Sequence, residues 1–120
     1  MELIEIKENL TVCKLADLSQ LDITKDFFFL GKTVDEISLV CKAADVPNNC
    51  TEREDNWKGF YIDGVLDFSM VGILAKISSL LADNGISIFA VSTYNTDYIL
   101  VKNEQWENTV AVLEKAGYKF

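Results

Sequence analysis

Met70, Ile73, Leu74, Ile77, Leu80 and Leu81 recur at three- and four-residue spacing, and Asn84-Gly85 follows at once. Apolar residues at that interval predict a helix from about Met70 to Asn84 with one buried face, and Asn84-Gly85 supplies the left-handed stop. Ser69 stands where a side chain would cap the first turn. A helix with one apolar stripe needs a layer to pack on, and the flanking sequence supplies strands.

Lys58 to Gly64 alternates as a strand does, and Ile86 to Thr93 and Asp97 to Lys102 are rich in β-branched and aromatic residues. Tyr94-Asn95-Thr96 joins the latter two as an antiparallel hairpin. A second helix is predicted from about Glu104 to Ala116, with Asn103 as its cap, Trp106, Val110 and Leu113 buried, and Gly117 at its end. Tyr118 to Phe120 then forms a short last strand. The order is β-α-β-β-α-β, an α+β, ferredoxin-like arrangement in which two helices cover one face of a four-stranded sheet. Ile86, Ile88 and Ala90 alternate with Phe89 and Val91, so neither side of that strand is plainly polar. The other face is therefore expected to pack on a second sheet or another chain.

The first half reads as strands at Leu3–Ile6, Leu10–Leu15, Phe27–Leu30 and Ile37–Cys41, with a weak helical pattern over Leu15–Lys25 and a loop over Asp45–Asp55 that holds the only proline, Pro47. A shift of 61 positions lays Phe29–Cys41 over Ala90–Lys102 without a gap, matching Leu39 with Leu100, Val40 with Val101 and Glu36 with Asp97. That is the trace a worn duplication leaves. The boundary is expected between 56 and 57, with a degenerate unit over 1–56 and a full one over 57–120.

The 120-residue chain carries a net charge of −8, which repels phosphate backbones and anionic lipid headgroups, so nucleic acid and membrane are not expected partners. No apolar run approaches the roughly 18 residues of a membrane span, and MELIEIKENL does not read as an export signal, so a cytoplasmic location is expected. Cys13, Cys41 and Cys50 are odd in number and widely spaced, and read as reduced, partly buried thiols.

Catalytic chemistry has little to stand on. There is no histidine, and none of the glycine-rich phosphate or nucleophile motifs occurs, nor a Cys-x-x-Cys pair. No cofactor and no metal is expected. What remains is the start of the first helix beside the polar hairpin. Unpaired N–H groups around Phe68, Ser69, Met70, Val71 and Gly72 can hold a carboxylate, and Gly72 permits close approach. Asp67 and Asp97 offer oxygens for an ammonium group, so the pair of features suits an α-amino acid. Against this stand plainer readings, in which Ser69 only caps a helix and Asn95-Thr96-Asp97 only turns a hairpin.

LDFSMVGILAKISSLLADNGISIFAVSTYNTDYILVK, Leu66 to Lys102, resembles the ACT domain, and more closely the small tandem-ACT proteins related to the regulatory part of aspartate kinases and to cytosolic arginine sensors. The resemblance rests on Gly72-Ile73-Leu74-Ala75, on Ala82 to Ile86 and on Ser92 to Val101. It implies the βαββαβ fold reached above, a tandem duplication with a degenerate N-terminal unit, and a homodimer that binds an amino acid and regulates a separate protein. It also implies that the loop Asp67–Ile73 holds the ligand's backbone groups, that Val91, Ser92 and Thr93 add main-chain contacts, and that Asp97, at an acidic position of the arginine-sensing relatives, faces the ligand; Asn95 and Thr96, from the polar hairpin itself, are expected at the site beside it. Val71 replaces the proline many relatives carry before the helix-start glycine, and the first half has no glycine-led helix start, so one site per chain is expected. The competing reading is a ligand-free assembly module. An acylphosphatase-like enzyme on the same fold would need an arginine and an asparagine to hold phosphate, and Arg53 is the only arginine.

Overall fold

In the computed structural model, residues 1–66 and 72–120 are described. They fall into two compact units, one of Glu8–Trp57 and one of Met1–Lys7 with Lys58–Phe120. Two thirteen-residue strands, β1 (Leu3–Leu15) and β4 (Cys50–Ile62), give residues to both.

The larger unit continues from β4 through α1 (Ile73–Asp83), β5 (Ile88–Ser92), β6 (Asp97–Lys102) and α2 (Trp106–Lys115). Its strands lie in the hydrogen-bonded order β1-β4-β6-β5. Ile77 and Leu81 from α1 and Leu113 from α2 pack with Leu3, Phe60, Ile62, Ile99 and Val101 in one buried cluster, so both helices cover the same sheet face. Leu100, which points the other way from β6, is fully buried as well, so that strand is covered on both sides. Phe60 is completely enclosed, with the rings of Trp106 and Phe120 centred 6.1 and 5.5 Å away.

The helix ends follow the glycines. Gly85 takes φ 73°, while its N–H donates to Ala82 O and that of Ile86 to Leu81 O; Gly117 repeats the device with φ 101° and Tyr118 N–H on Leu113 O. The second helix begins at Trp106 rather than Glu104, after a 3-10 turn over Asn103–Gln105, and Gln105 precedes it without a side-chain cap, so Asn103 is not its cap. The predicted last strand at Tyr118–Phe120 is reduced to one parallel bridge between Lys119 and Glu2. The start of β1 already occupies the place beside β4 that a fourth strand would take.

In the smaller unit β1 and β4 are joined by β2 (Phe28–Lys32) and β3 (Ile37–Lys42), in the order β2-β3-β1-β4. Leu3–Ile6 and Leu10–Leu15 belong to one continuous strand rather than two. The weak helical pattern over Leu15–Lys25 forms no helix, because Asp17 accepts from the backbone and hydroxyl of Ser19, and Asp22 does the same for Thr24, bending the chain into turns. Residues 50–55, expected as loop, are strand. Their charged side chains hide the periodicity, and they are satisfied laterally: Thr11 Oγ1 donates to Asp55 at 2.7 Å, Arg53 grips the same carboxylate, and Lys14 pairs with Glu52.

The two hairpins repeat one another. β2 and β5, β3 and β6, and the 3-10 turns Ala43–Asp45 and Asn103–Gln105 each begin sixty residues apart. Phe28 pairs with Cys41 as Ile88 pairs with Val101, and β3 and β6 share one burial pattern. The internal match is therefore at a shift of 60, not 61, and at that shift Phe29, Thr33 and Lys42 fall on Phe89, Thr93 and Lys102.

Cys13 and Cys41 are buried in the small unit's core with Leu15 and Leu39, while Cys50 is half-buried beside them. Burial, which disfavours a thiolate, raises the pKa of Cys13 and pushes that of Cys41 up to about 12. A disulfide-exchange reagent at pH 8 should therefore reach Cys13 and Cys41 only on unfolding, and fast reaction of all three thiols in the native protein would contradict this packing. Phe60→Ala should cost about 3–5 kcal/mol in urea unfolding, and a loss below about 1 kcal/mol would show that the aromatic cluster is not the core.

Candidate functional site

The larger unit holds a cavity of about 290 Å³ where the start of α1 meets the β5–β6 hairpin. Leu66, Gly72, Ile73, Leu74 and Ala75 line it from one side, and Ser92 through Asp97 from the other.

Gly72 sets the helix wall. It precedes α1 with φ 83°, a left-handed conformation that an L side chain resists, and among the described residues no side chain caps the helix there. The first intrahelical bond runs from Lys76 N–H to Gly72 O at 2.8 Å, so the N–H groups of Ile73, Leu74 and Ala75 precede the helical ladder. They sit at the positive end of the helix dipole with no acidic residue in the first turn to neutralise it. The helix starts three residues later than its apolar pattern suggests. Asp67, Phe68, Ser69, Met70 and Val71, all expected at the site, lie outside the described residues, and so does the expected cap by Ser69.

The hairpin wall is polar and tightly bonded. Ser92 and Asp97 face each other across β5 and β6, and the Ser92 hydroxyl donates to Asp97 Oδ1 at 2.6 Å, which orients the carboxylate. Thr93 closes the turn: its N–H donates to Thr96 O at 2.8 Å and its hydroxyl to the same oxygen at 3.0 Å. The turn is then held from below, where Thr96 Oγ1 donates to Ile62 O at 2.7 Å and Leu66 N–H donates to Asn95 O at 2.6 Å. Beside the site, Tyr98 stacks on Tyr61 at 5.0 Å, and burial lifts its phenol above the usual range.

Of the residues expected at the site, Gly72, Ile73, Ser92, Thr93, Asn95, Thr96 and Asp97 meet around this one cavity. Val91 does not line it; strand alternation turns its side chain away while that of Ser92 faces in. Leu66, Leu74, Ala75 and Tyr94 line the cavity without having been expected there. Leu74 and Ala75 follow once the helix start is placed at Ile73, and Tyr94 was legible only as a turn residue. Leu66 is brought in by its bond to Asn95, which no local pattern announces. Asp97 is the only charged residue among the described lining. No group of three or more metal-ligating side chains occurs among the described residues. The arrangement offers hydrogen-bond donors at the helix end, one carboxylate on the hairpin wall, and the apolar side chains of Leu66 and Leu74 in the lining.

A family model of the ACT domain matches residues 52–115. A solved protein of Agobacterium tumefaciens is 30% identical, with a TM-score of 0.85 over 98% of this chain and 90% of that one. The chain belongs to the ACT domain family. Its fold is also that of the aspartokinase α and β subunits (TM-score 0.67, 16% identity, 97% of each chain) and of the ligand-free regulatory subunit of aspartate kinase from Thermus thermophilus (0.63, 12%, 96% of this chain and 97% of that one). None of the curated proteins compared matches the chain.

An added Cβ at Gly72 would meet no atom of the described residues within 4 Å, so Gly72→Ala tests the left-handed backbone conformation. It should cost about 1–2 kcal/mol in urea unfolding, and unchanged stability would contradict the left-handed helix entry.

Proposed function

We propose that this chain is a non-catalytic ACT regulatory protein whose cavity binds a free amino acid. The observation that carries this reading is the pairing, across one cavity, of a helix N-terminus that no described side chain caps with an oriented carboxylate at Asp97. The ligand's α-carboxylate suits the N–H groups of Ile73 to Ala75, its ammonium group suits Asp97, and its side chain has Leu66 and Leu74 to lie against. At about 290 Å³ the space suits a metabolite rather than a drug-sized molecule. A net charge of −8 and the absence of a basic group from the described lining favour neutral or cationic amino acids over acidic ones.

The sixty-residue offset supports reading the chain as a duplication, a degenerate unit over 1–56 followed by an ACT domain over 57–120. The smaller unit has isoleucine at residue 37, where the larger has Asp97, and no helix between β1 and β2, which supports one site per chain. The regulatory subunit of aspartate kinase among the structural neighbours supports a role in which occupancy is read by a separate protein, the chain itself acting as a cytoplasmic homodimer.

Thermal unfolding against the twenty amino acids at millimolar concentration tests the reading. A ligand at 100 times its dissociation constant adds about 2.7 kcal/mol, a shift of several degrees for a domain of this size. Asp97→Asn should weaken binding of that amino acid by about 1.5–3 kcal/mol. A panel without a single shift would favour the assembly module instead, and full-strength binding by the variant would remove Asp97 from the site.

A further inference from the structure

The two hairpin turns are built alike and end differently. In the smaller unit Thr33 N–H donates to Glu36 O at 2.9 Å, and Glu36 N–H returns to Thr33 Oγ1 at 3.2 Å. In the larger unit the same bonds link Thr93 and Thr96, at 2.8 and 3.3 Å. Residue 36 is an exposed glutamate, so this turn forms without help from the side chain in its last position. Residue 96 is a buried threonine, 8% exposed, whose hydroxyl reaches 34 residues back to the carbonyl of Ile62.

The bond therefore serves something other than the turn. Ile62 is the last residue of β4, and the chain runs from it through Leu66 to Gly72 and the start of α1. Asn95, one residue before Thr96, accepts from Leu66 N–H. Two hydrogen bonds thus fasten the tip of the hairpin wall to the segment that leads into the helix wall, and both leave or enter residues flanking the cavity.

We infer that Thr96 is a positioning residue: its hydroxyl, through Ile62 O, holds the hairpin bearing Asp97 against the end of β4 and Leu66, which lines the facing side of the cavity. For ligand binding this rests on the reading proposed above; for the geometry of the cavity it does not. Removing the hydroxyl takes a buried hydrogen bond from the carbonyl of Ile62 and loosens the turn, leaving the Leu66–Asn95 bond to hold it to this segment.

Three variants separate this role from a general loss of packing. Thr96→Val keeps the shape and loses the hydroxyl, and Thr96→Ser keeps the hydroxyl. Thr109→Val removes the hydroxyl of another buried threonine, on α2, where it donates to Gln105 O at 2.8 Å, away from the cavity. In Thr96→Val, amide hydrogen exchange at Leu66 should quicken on the order of tenfold, the worth of one buried hydrogen bond, with Thr96→Ser returning it towards the wild-type rate. Thr109→Val should leave Leu66 unchanged. Wild-type exchange in Thr96→Val, or equal acceleration in Thr109→Val, would overturn the inference.

The same variants are run against the twenty amino acids. If the wild type responds to one, Thr96→Val should lose affinity for it and Thr96→Ser should recover it, and undiminished binding by Thr96→Val would overturn the positioning role. If the wild type responds to none, the proposed function fails, and exchange at Leu66 still decides whether Thr96 holds the two walls together.

Discussion

The packing of Ile77 and Leu81 onto Phe60, Ile62, Ile99 and Val101 is the constraint on which the rest depends. It fixes the axis of α1 over the sheet, and with it the place where the helix begins. Gly72 then turns the chain into the helix through a left-handed residue, so that the first turn of the helix lines the same cavity as the hairpin. Burying large aliphatic side chains contributes about 1.5–3 kcal/mol each, far more than any one polar contact at the cavity. The polar groups therefore do little to drive folding; they are held where the apolar layer leaves them.

The cavity is asymmetric in charge. One wall presents backbone dipoles and the other a carboxylate that Ser92 keeps oriented. A zwitterion satisfies both walls at once, whereas an anion would leave Asp97 facing like charge and a cation would leave the helix end unused. The smaller unit has the same hairpin but puts Ile37 where the larger one has Asp97, and it passes from β1 to β2 through turns rather than a helix. With neither the helix dipole nor the carboxylate, it lacks both halves of the arrangement.

Much of this was legible in the sequence because it is local. The 3.6-residue period from Ile73 to Leu81 marks α1, and the run of β-branched residues marks β6 to the residue, Asp97–Lys102. What was not legible depends on partners distant in sequence. Cys50–Asp55 reads as loop because its charges find Thr11 and Lys14 across the sheet. Tyr118–Phe120 reads as a strand because nothing local reveals that the N-terminal strand already lies beside β4. The match at a shift of 61 rests on Leu-Val at 39–40 and 100–101, one residue out of register with the two hairpins, whose backbone aligns Thr33 with Thr93. At the site, Gly72 and Asp97 stood out by residue type, and Leu66 entered only through a backbone bond.

The most direct test of a ligand seated between the helix start and the hairpin is a two-dimensional amide NMR spectrum recorded with and without the amino acids, in pools and then singly. The account predicts that one amino acid, or a small chemically related set, displaces the resonances of Ile73, Leu74 and Ala75 together with those of Thr93 to Asp97, and leaves the Glu8–Trp57 unit in place. Displacements confined to other surfaces, or a spectrum that no amino acid alters, would contradict it.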